Sequence, residues 1–151
     1  MSIFNGMNIS ASALTAQRFR MDTASSNMAN GDTTRSRLVD GEWEPYRRRM
    51  VVMEPGGQPS FNSFLSKAMG DAAGRGTGVK ISRVIEDQSP FKLVYQPEHP
   101  DANEEGYVEL PNVDPLKEMI DLMGATRSYE ANVTAFDAHK NMLLKALEIG
   151  R

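Results

Sequence analysis

Residues 115 to 149 carry the feature that most constrains this 151-residue chain: a seam at alternating three- and four-residue spacing, unbroken over four heptads. It reads Met119, Leu122, Thr126, Tyr129, Val133, Phe136, Lys140, Leu143, Leu147, and seven of the nine are apolar. Thr126 and Lys140 interrupt it and read as polar residues that fix register. Asp114 can accept hydrogen bonds from the first free amides, Pro115 suits a first helical position that needs no amide proton, and Gly150 supplies a stop. The pattern predicts one helix of 35 residues, about 52 Å long.

The opposite side of that helix lacks the Lys and Glu of a solvated face. Gly124, Ala131 and Ala138 form a second heptad row there, with Ala125, Ser128 and Ala135 beside it. Small residues let backbones approach closely, so this side predicts a second packing surface. The first 34 residues predict another helix, with Met7, Leu14, Met21 and Met28 recurring every seven positions and a stop at Asn30-Gly31, where glycine can adopt the left-handed conformation. Its companion row, Ala11, Arg18 and Ser25, is small or polar, so this helix is marginal alone and requires a partner. The chain has only these two long helices, and surfaces that one chain cannot cover point to assembly with other chains.

Between them, residues 35–112 change character. Tyr46 to Met53, Val79 to Ile85, Phe91 to Tyr95 and Tyr107 to Leu110 are β-prone, and Phe91, Leu93 and Tyr95 fall on one strand face with Lys92 and Val94 on the other. These strands predict a small antiparallel sheet. Glu54 to Gly78 holds six glycines and two prolines and predicts a long loop. The expected fold is mainly α with a small β insert: residues 1–34 and 113–151 pair as a coiled coil forming one helical domain, and 35–112 face outward.

Composition removes most other classes. There is no cysteine, hence no disulfide, thiolate catalysis or sulfur-ligated metal. No apolar window is long enough to span a membrane, and the N-terminus lacks the basic start and apolar core of a cleaved signal. The formal net charge of −3 gives no motive for binding nucleic acid. Charge is uneven, with one Lys and eight acids from Val84 to Asp114 but seven Arg against five acids in the first 53 residues, a pattern suited to docking between copies or with a charged partner. Gly74-Arg75-Gly76-Thr77-Gly78 precedes a strand, where a dinucleotide loop would follow one, and its spacing to Lys80 misses the P-loop pattern. His99 lies in an acidic turn and His139 on a helix flank with no acidic neighbour one turn away, so neither nominates a metal or a catalytic group. Tyr46-Arg47-Arg48-Arg49 reads as a strand edge or a salt-bridged interface. No cofactor is expected.

Two matched ends carry a family resemblance. Leu14-Thr15-Ala16-Gln17-Arg18-Phe19-Arg20-Met21-Asp22 followed by Ala24-Ser25-Ser26-Asn27-Met28-Ala29-Asn30 resembles the N-terminal signature of bacterial flagellar rod and hook proteins. Thr126-Arg127-Ser128-Tyr129-Glu130-Ala131-Asn132, with Met142-Leu143 and the closing Leu147-Glu148-Ile149-Gly150-Arg151, resembles their C-terminal pattern. Asn27, Asn30, Tyr129, Glu130 and Asn132 are the motif positions. The segments Pro45 to Arg48, Ser89 to Tyr95, Glu105 to Val108 and Pro111 to Pro115 look like the proximal-rod members. The resemblance implies a non-enzymatic subunit, exported by the flagellar type III apparatus without a cleaved signal. Its partners would be copies of itself, other rod proteins and hook–basal-body components, in a hollow, periplasm-spanning drive shaft. The runners-up are a free-standing coiled-coil adaptor and a distal-rod or hook-type subunit.

Overall fold

The computed structural model describes residues 4–56 and 78–149. The strongest sequence expectation holds at its start: Leu116 N donates to Asp114 Oδ1 at 3.1 Å, and helix α2 runs Pro115–Ile149 over 35 residues. The expected stop at Gly150 lies outside the described residues.

Helix α1 spans Asn5–Ala29. Its end is closed by a different device from the one expected. Gly31 is not in the left-handed region; instead Asn30 Nδ2 donates to Ser26 O at 2.8 Å, and Thr33 N donates to Asn30 O at 3.2 Å. The short amide side chain competes for a helix carbonyl and ends the helix itself.

α1 and α2 pack against each other as the largest element contact of the fold. They run antiparallel, since Gly6 meets His139 at one end and Asn27 meets Glu118 at the other. A Cβ at Gly6 would lie 2.8 Å from His139 Cε1, so glycine is what permits this approach.

The insert forms three separate two-stranded antiparallel pairs among the described residues, where one four-stranded sheet was expected. β1 (Arg37–Val39) and β2 (Glu42–Glu44) make a hairpin through Asp40-Gly41, whose φ angles of 51° and 94° give the primed turn that two-residue hairpins favour. β3 (Arg49–Pro55) pairs with β4 (Val79–Glu86), with an irregularity between Val52 and Met53, and both strands touch α1. Glu54 and Pro55, assigned to the loop by sequence, are strand residues opposite Lys80 and Val79; residues 57–77 lie outside the described residues. Tyr46 to Arg48 precede the strand instead of starting it. β5 (Lys92–Tyr95) pairs with β6 (Tyr107–Leu110), with Val94 opposite the buried Val108. Charged side chains along these strands, among them Lys80, Arg83, Lys92 and Glu109, oppose further edge pairing.

The core is small and unusual. Buried apolar residues are Ala16, Ala24, Tyr46, Val108, Val113 and Ala125, whereas the largest fully buried side chains include Glu118 and Asn27.

Candidate assembly surface

The site is built from a buried polar node and from the helix faces that the node leaves outward. Asn27, on the last turn of α1, is wholly buried and uses every hydrogen-bonding position of its amide. Nδ2 donates to Arg49 O and to Glu118 Oε2, both at 2.8 Å. Oδ1 accepts from Arg49 N at 2.9 Å and from the Tyr46 hydroxyl at 3.0 Å. One side chain thereby joins α1, the start of β3 and the first turn of α2.

Glu118 is 1% exposed. Its second oxygen, Oε1, accepts from Arg48 Nε at 2.5 Å. Arg48 Nη2 also reaches Asp121 Oδ2 at 3.3 Å, and Asp121 Oδ1 accepts from Arg20 Nη2 at 2.6 Å. Arg48 N donates to Asn112 Oδ1 at 2.8 Å, and Asn112 Nδ2 donates to Asp87 O at 3.0 Å. Burying a carboxylate is costly unless it is paired and fully hydrogen-bonded, and both oxygens of Glu118 are. Its members bond chiefly to one another across α1, β3 and α2. The arrangement is a joint.

The joint sets which face of α2 turns inward. The residues of α2 with reduced exposure include Glu118, Leu122, Ala125, Tyr129, Asn132, Phe136, His139 and Leu143, again at alternating four- and three-residue spacing. The expected row of Leu122, Tyr129, Phe136 and Leu143 is therefore half-buried. Its expected companion row is not inside the chain: Met119, Val133 and Leu147 are exposed, as are Thr126 and Lys140. The inner companion row is Glu118, Ala125, Asn132 and His139, because α1 presents small and polar residues such as Ser10, Ala24 and Asn27 to be matched. Asn27–Glu118 and Arg20–Asp121 tie α1 to α2 at this end, and Lys140 is exposed. Thr126 Oγ1 lies 2.8 Å from Leu122 O and 3.4 Å from Met21 Sδ.

On α1, Met7, Leu14, Met21 and Met28 are all half-buried. On α2, Gly124, Ala131 and Ala138 are exposed, and a Cβ added at Gly124 would meet nothing within 4 Å. Of the motif positions, Asn27 is the centre of the node and Asn30 closes α1, while Asn132 Nδ2 donates to Ser128 O at 2.8 Å. Tyr129 is half-buried and Glu130 exposed. Leu116, Ile120, Met123, Met142 and Leu144 add to the exposed apolar surface of α2.

The charge asymmetry is partly satisfied within the chain. Arg37 bonds Glu44 at 2.8 Å, which raises the guanidinium pKa and lowers that of the carboxyl through the same hydrogen bond. Asp101 accepts from Thr34 Oγ1 at 2.7 Å and from Arg35 Nε at 2.6 Å; these bonds, Thr34's first, hold its carboxyl below the usual range. Asp87 is lowered chiefly by the Ser89 hydroxyl. His99 Nδ1 accepts from Asp101 N at 3.1 Å, and His139 packs on Gly6. Among the described residues there is no cluster of three metal-ligating side chains and no helix long and apolar enough to cross a membrane. Of the glycine run at 74–78, only Gly78 is described.

Sequence reading missed the node because its partners are up to 101 positions apart and each is common in isolation. The available signal was the acidic pair Glu118 and Asp121 on the first turns of α2, next to the start of its apolar seam. The β1–β2 hairpin had a local signal in Asp40-Gly41.

Comparison with known proteins places this architecture. Residues 7–35 match the family described as flagella basal body rod protein, and residues 104–149 match the flagellar basal body rod FlgEFG protein C-terminal family. Over its whole length the chain is 61% identical to the flagellar basal-body rod protein FlgC of Bacillus subtilis (strain 168), again covering all of that protein. It is 43% identical to FlgC of Escherichia coli O157:H7 over the full length of both, and 40% identical to that of Borreliella burgdorferi, covering 99% of this chain and 98% of the relative.

Proposed function

The chain belongs to the flagellar basal-body rod protein family, and on that premise we propose how it works as a structural subunit of the proximal rod. The observation that carries the mechanism is the outward apolar row of α2: Met119, Val133 and Leu147 are large and remain exposed when α1 and α2 pack. Burying a side chain of this kind contributes about 1.5–3 kcal/mol, so a helix with several of them gains stability from neighbouring subunits.

In this reading the terminal helices, 1–34 and 113–151, act as one coiled-coil unit, and their outer faces pack on other subunits. Met7, Leu14, Met21 and Met28 on α1, and Leu122, Tyr129, Phe136 and Leu143 on α2, hold the pair together. Gly124, Ala131 and Ala138 admit a neighbouring helix at close range. Heterologous contacts that do not close give a helical filament and not a ring. Torque travels through the packed helices because close-packed interiors deform little. The insert, 35–112, faces outward toward surrounding basal-body parts. The chain reaches the periplasm-spanning rod through the flagellar type III export apparatus, and its partners are copies of itself and other rod proteins. The family is a structural one, and the subunit performs no catalysis.

The test is quantification of this chain against the hook protein in purified, stripped basal bodies by mass spectrometry. A fixed copy number below that of the hook is expected. Absence from the particle would move the adaptor reading to the front.

A further inference from the structure

The β5–β6 hairpin presents a second, separate surface. On its outer face Leu93 is 64% exposed, Tyr95 62% and Tyr107 41%. The two tyrosines lie directly opposite each other across the pair, with ring centroids 5.3 Å apart in an edge-to-face arrangement. They are held in place from below. Gly106, at φ +80°, sits so close that a Cβ there would lie 2.9 Å from Tyr95 Cε2, and on the inner face Val94 pairs with the buried Val108. The connecting loop is fastened by Asn103 Oδ1, which accepts from Glu105 N and Tyr107 N, and by Asp101 bonded to Thr34 and Arg35. The platform is thus rigid before any partner arrives, and rigid aromatic anchors are what interface hot spots use.

Its rim is acidic. Glu98, Glu104, Glu105 and Glu109 are exposed, and none makes an ion pair with a described residue. The nearby cation, Lys92, is directed to Val113 O at 2.5 Å. The same chain carries the complement elsewhere: Arg18 on α1, Arg83 on β4 and Arg127 on α2 are exposed and likewise form no ion pair with described residues. An aliphatic guanidinium stem over a tyrosine ring, with the charge meeting a rim carboxylate, matches both halves of this surface.

We propose that the Leu93–Tyr95–Tyr107 face of the β5–β6 hairpin docks one of the exposed arginines, Arg18, Arg83 or Arg127, of a second copy of this chain. The inference rests on the rod-subunit reading above and names the contact made by the insert. The two patches occupy different elements, so a head-to-tail contact between them leaves one of each free on every copy and can propagate along a filament. The unpaired carboxylates set orientation and encounter more than they set affinity, whereas the tyrosines anchor the contact.

The test places a photoreactive benzophenone side chain at Tyr95 of the full-length chain, in cells whose own copy has been replaced. Basal bodies are then purified and irradiated. Incorporation of the chain is scored separately and tests the rod reading on its own. The expected result is an adduct of two copies, near twice 16.7 kDa, with the cross-link mapped to the segment around Arg18, Arg83 or Arg127. Reversing two rim charges, Glu104→Lys with Glu105→Lys, is expected to lower adduct yield about tenfold. An adduct to a different protein, a self-adduct remote from all three arginines, or incorporation with no adduct each overturns the proposal. If the Tyr95 variant does not incorporate, the same probe at Leu93 is read by the same outcomes, and failure of both to incorporate overturns the placement of this face as accessible to a probe in the rod.

Discussion

Asn27→Asp is the sharpest perturbation of the node because it preserves shape and changes only charge and hydrogen-bond sense. It sets a carboxylate oxygen where the amide nitrogen now lies 2.8 Å from Glu118 Oε2. Two unit charges at that separation repel by about 6 kcal/mol at an effective dielectric of about 20. The site escapes the full cost by taking up a proton. Keeping a carboxyl of ordinary pKa near 4 protonated costs about 4 kcal/mol at pH 7 and about 1.4 kcal/mol at pH 5. The folded carboxyl pair binds this proton more tightly than the unfolded chain does, so its folded pKa is raised. Stability from that proton is complete below the unfolded pKa and is lost as pH rises toward the folded one.

Relative to the unsubstituted chain, Asn27→Asp is therefore expected to lose at least about 4 kcal/mol at pH 7 and to recover about 2.7 kcal/mol of it at pH 5. Asn27→Ala leaves the Arg49 amide and carbonyl, the Tyr46 hydroxyl and one Glu118 oxygen without their partner. It is expected to lose about 3 kcal/mol at both pH values, since no proton is gained. Urea unfolding of the full chain, followed by helical circular dichroism at the two pH values, separates them. Equal losses for the two variants at both pH values would refute the claim that a dry Asn27–Glu118 contact organises the fold.

Three further outcomes are expected. Leu147→Asp, at a position 72% exposed, should leave solution stability within about 0.5 kcal/mol while abolishing incorporation into rods, whereas Leu143→Asp in the half-buried stripe should cost about 1–3 kcal/mol as well. Normal motility with Leu147→Asp would remove the outward row from assembly. Gly106→Ala forces a side chain into φ +80° and against the Tyr95 ring, so a loss of about 1–3 kcal/mol and a changed near-ultraviolet tyrosine signal are expected; an unchanged signal would show that the ring is not seated there. The Asp101 carboxyl, lowered chiefly by Thr34, should titrate by NMR below the usual value near 3.9, and Thr34→Val should move it back up. Its contribution is present above the unfolded pKa and is lost as pH falls through the lowered folded one, so the 96–106 loop should stay fastened at neutral pH and open only in acid. A midpoint unaffected by Thr34→Val would exclude that bond as the cause.

Periodicity revealed both helices of this chain, and the Asp114-Pro115 start was legible to the residue, because capping and heptad spacing are local. One row of the α2 seam was legible too. The second row was misassigned because an apolar pattern reports where apolar residues lie and not which partner takes them. Met119, Val133 and Leu147 satisfy a coiled-coil template, yet the chain turns Glu118, Ala125, Asn132 and His139 inward to meet a small, polar α1. The node depends on Asn27, Arg48 and Glu118 converging from three distant segments, which no window contains. The separate hairpins were likewise hidden, since strand propensity does not state which strands pair.

These two results are one. A chain that folded by burying its best apolar row would leave a polar surface outside and have little reason to polymerise. Here specificity within the chain rests on a paired, fully bonded Glu118 and a saturated Asn27, the kind of contact that fixes one arrangement while contributing modest net stability. The apolar side chains of Met119, Val133 and Leu147 stay exposed on the single chain, which is the surface the proposed assembly would bury. Large contiguous apolar patches on a protein surface are characteristic of interaction sites. The polar joint keeps that surface in one geometry, which is what the proposed rod assembly requires of every subunit.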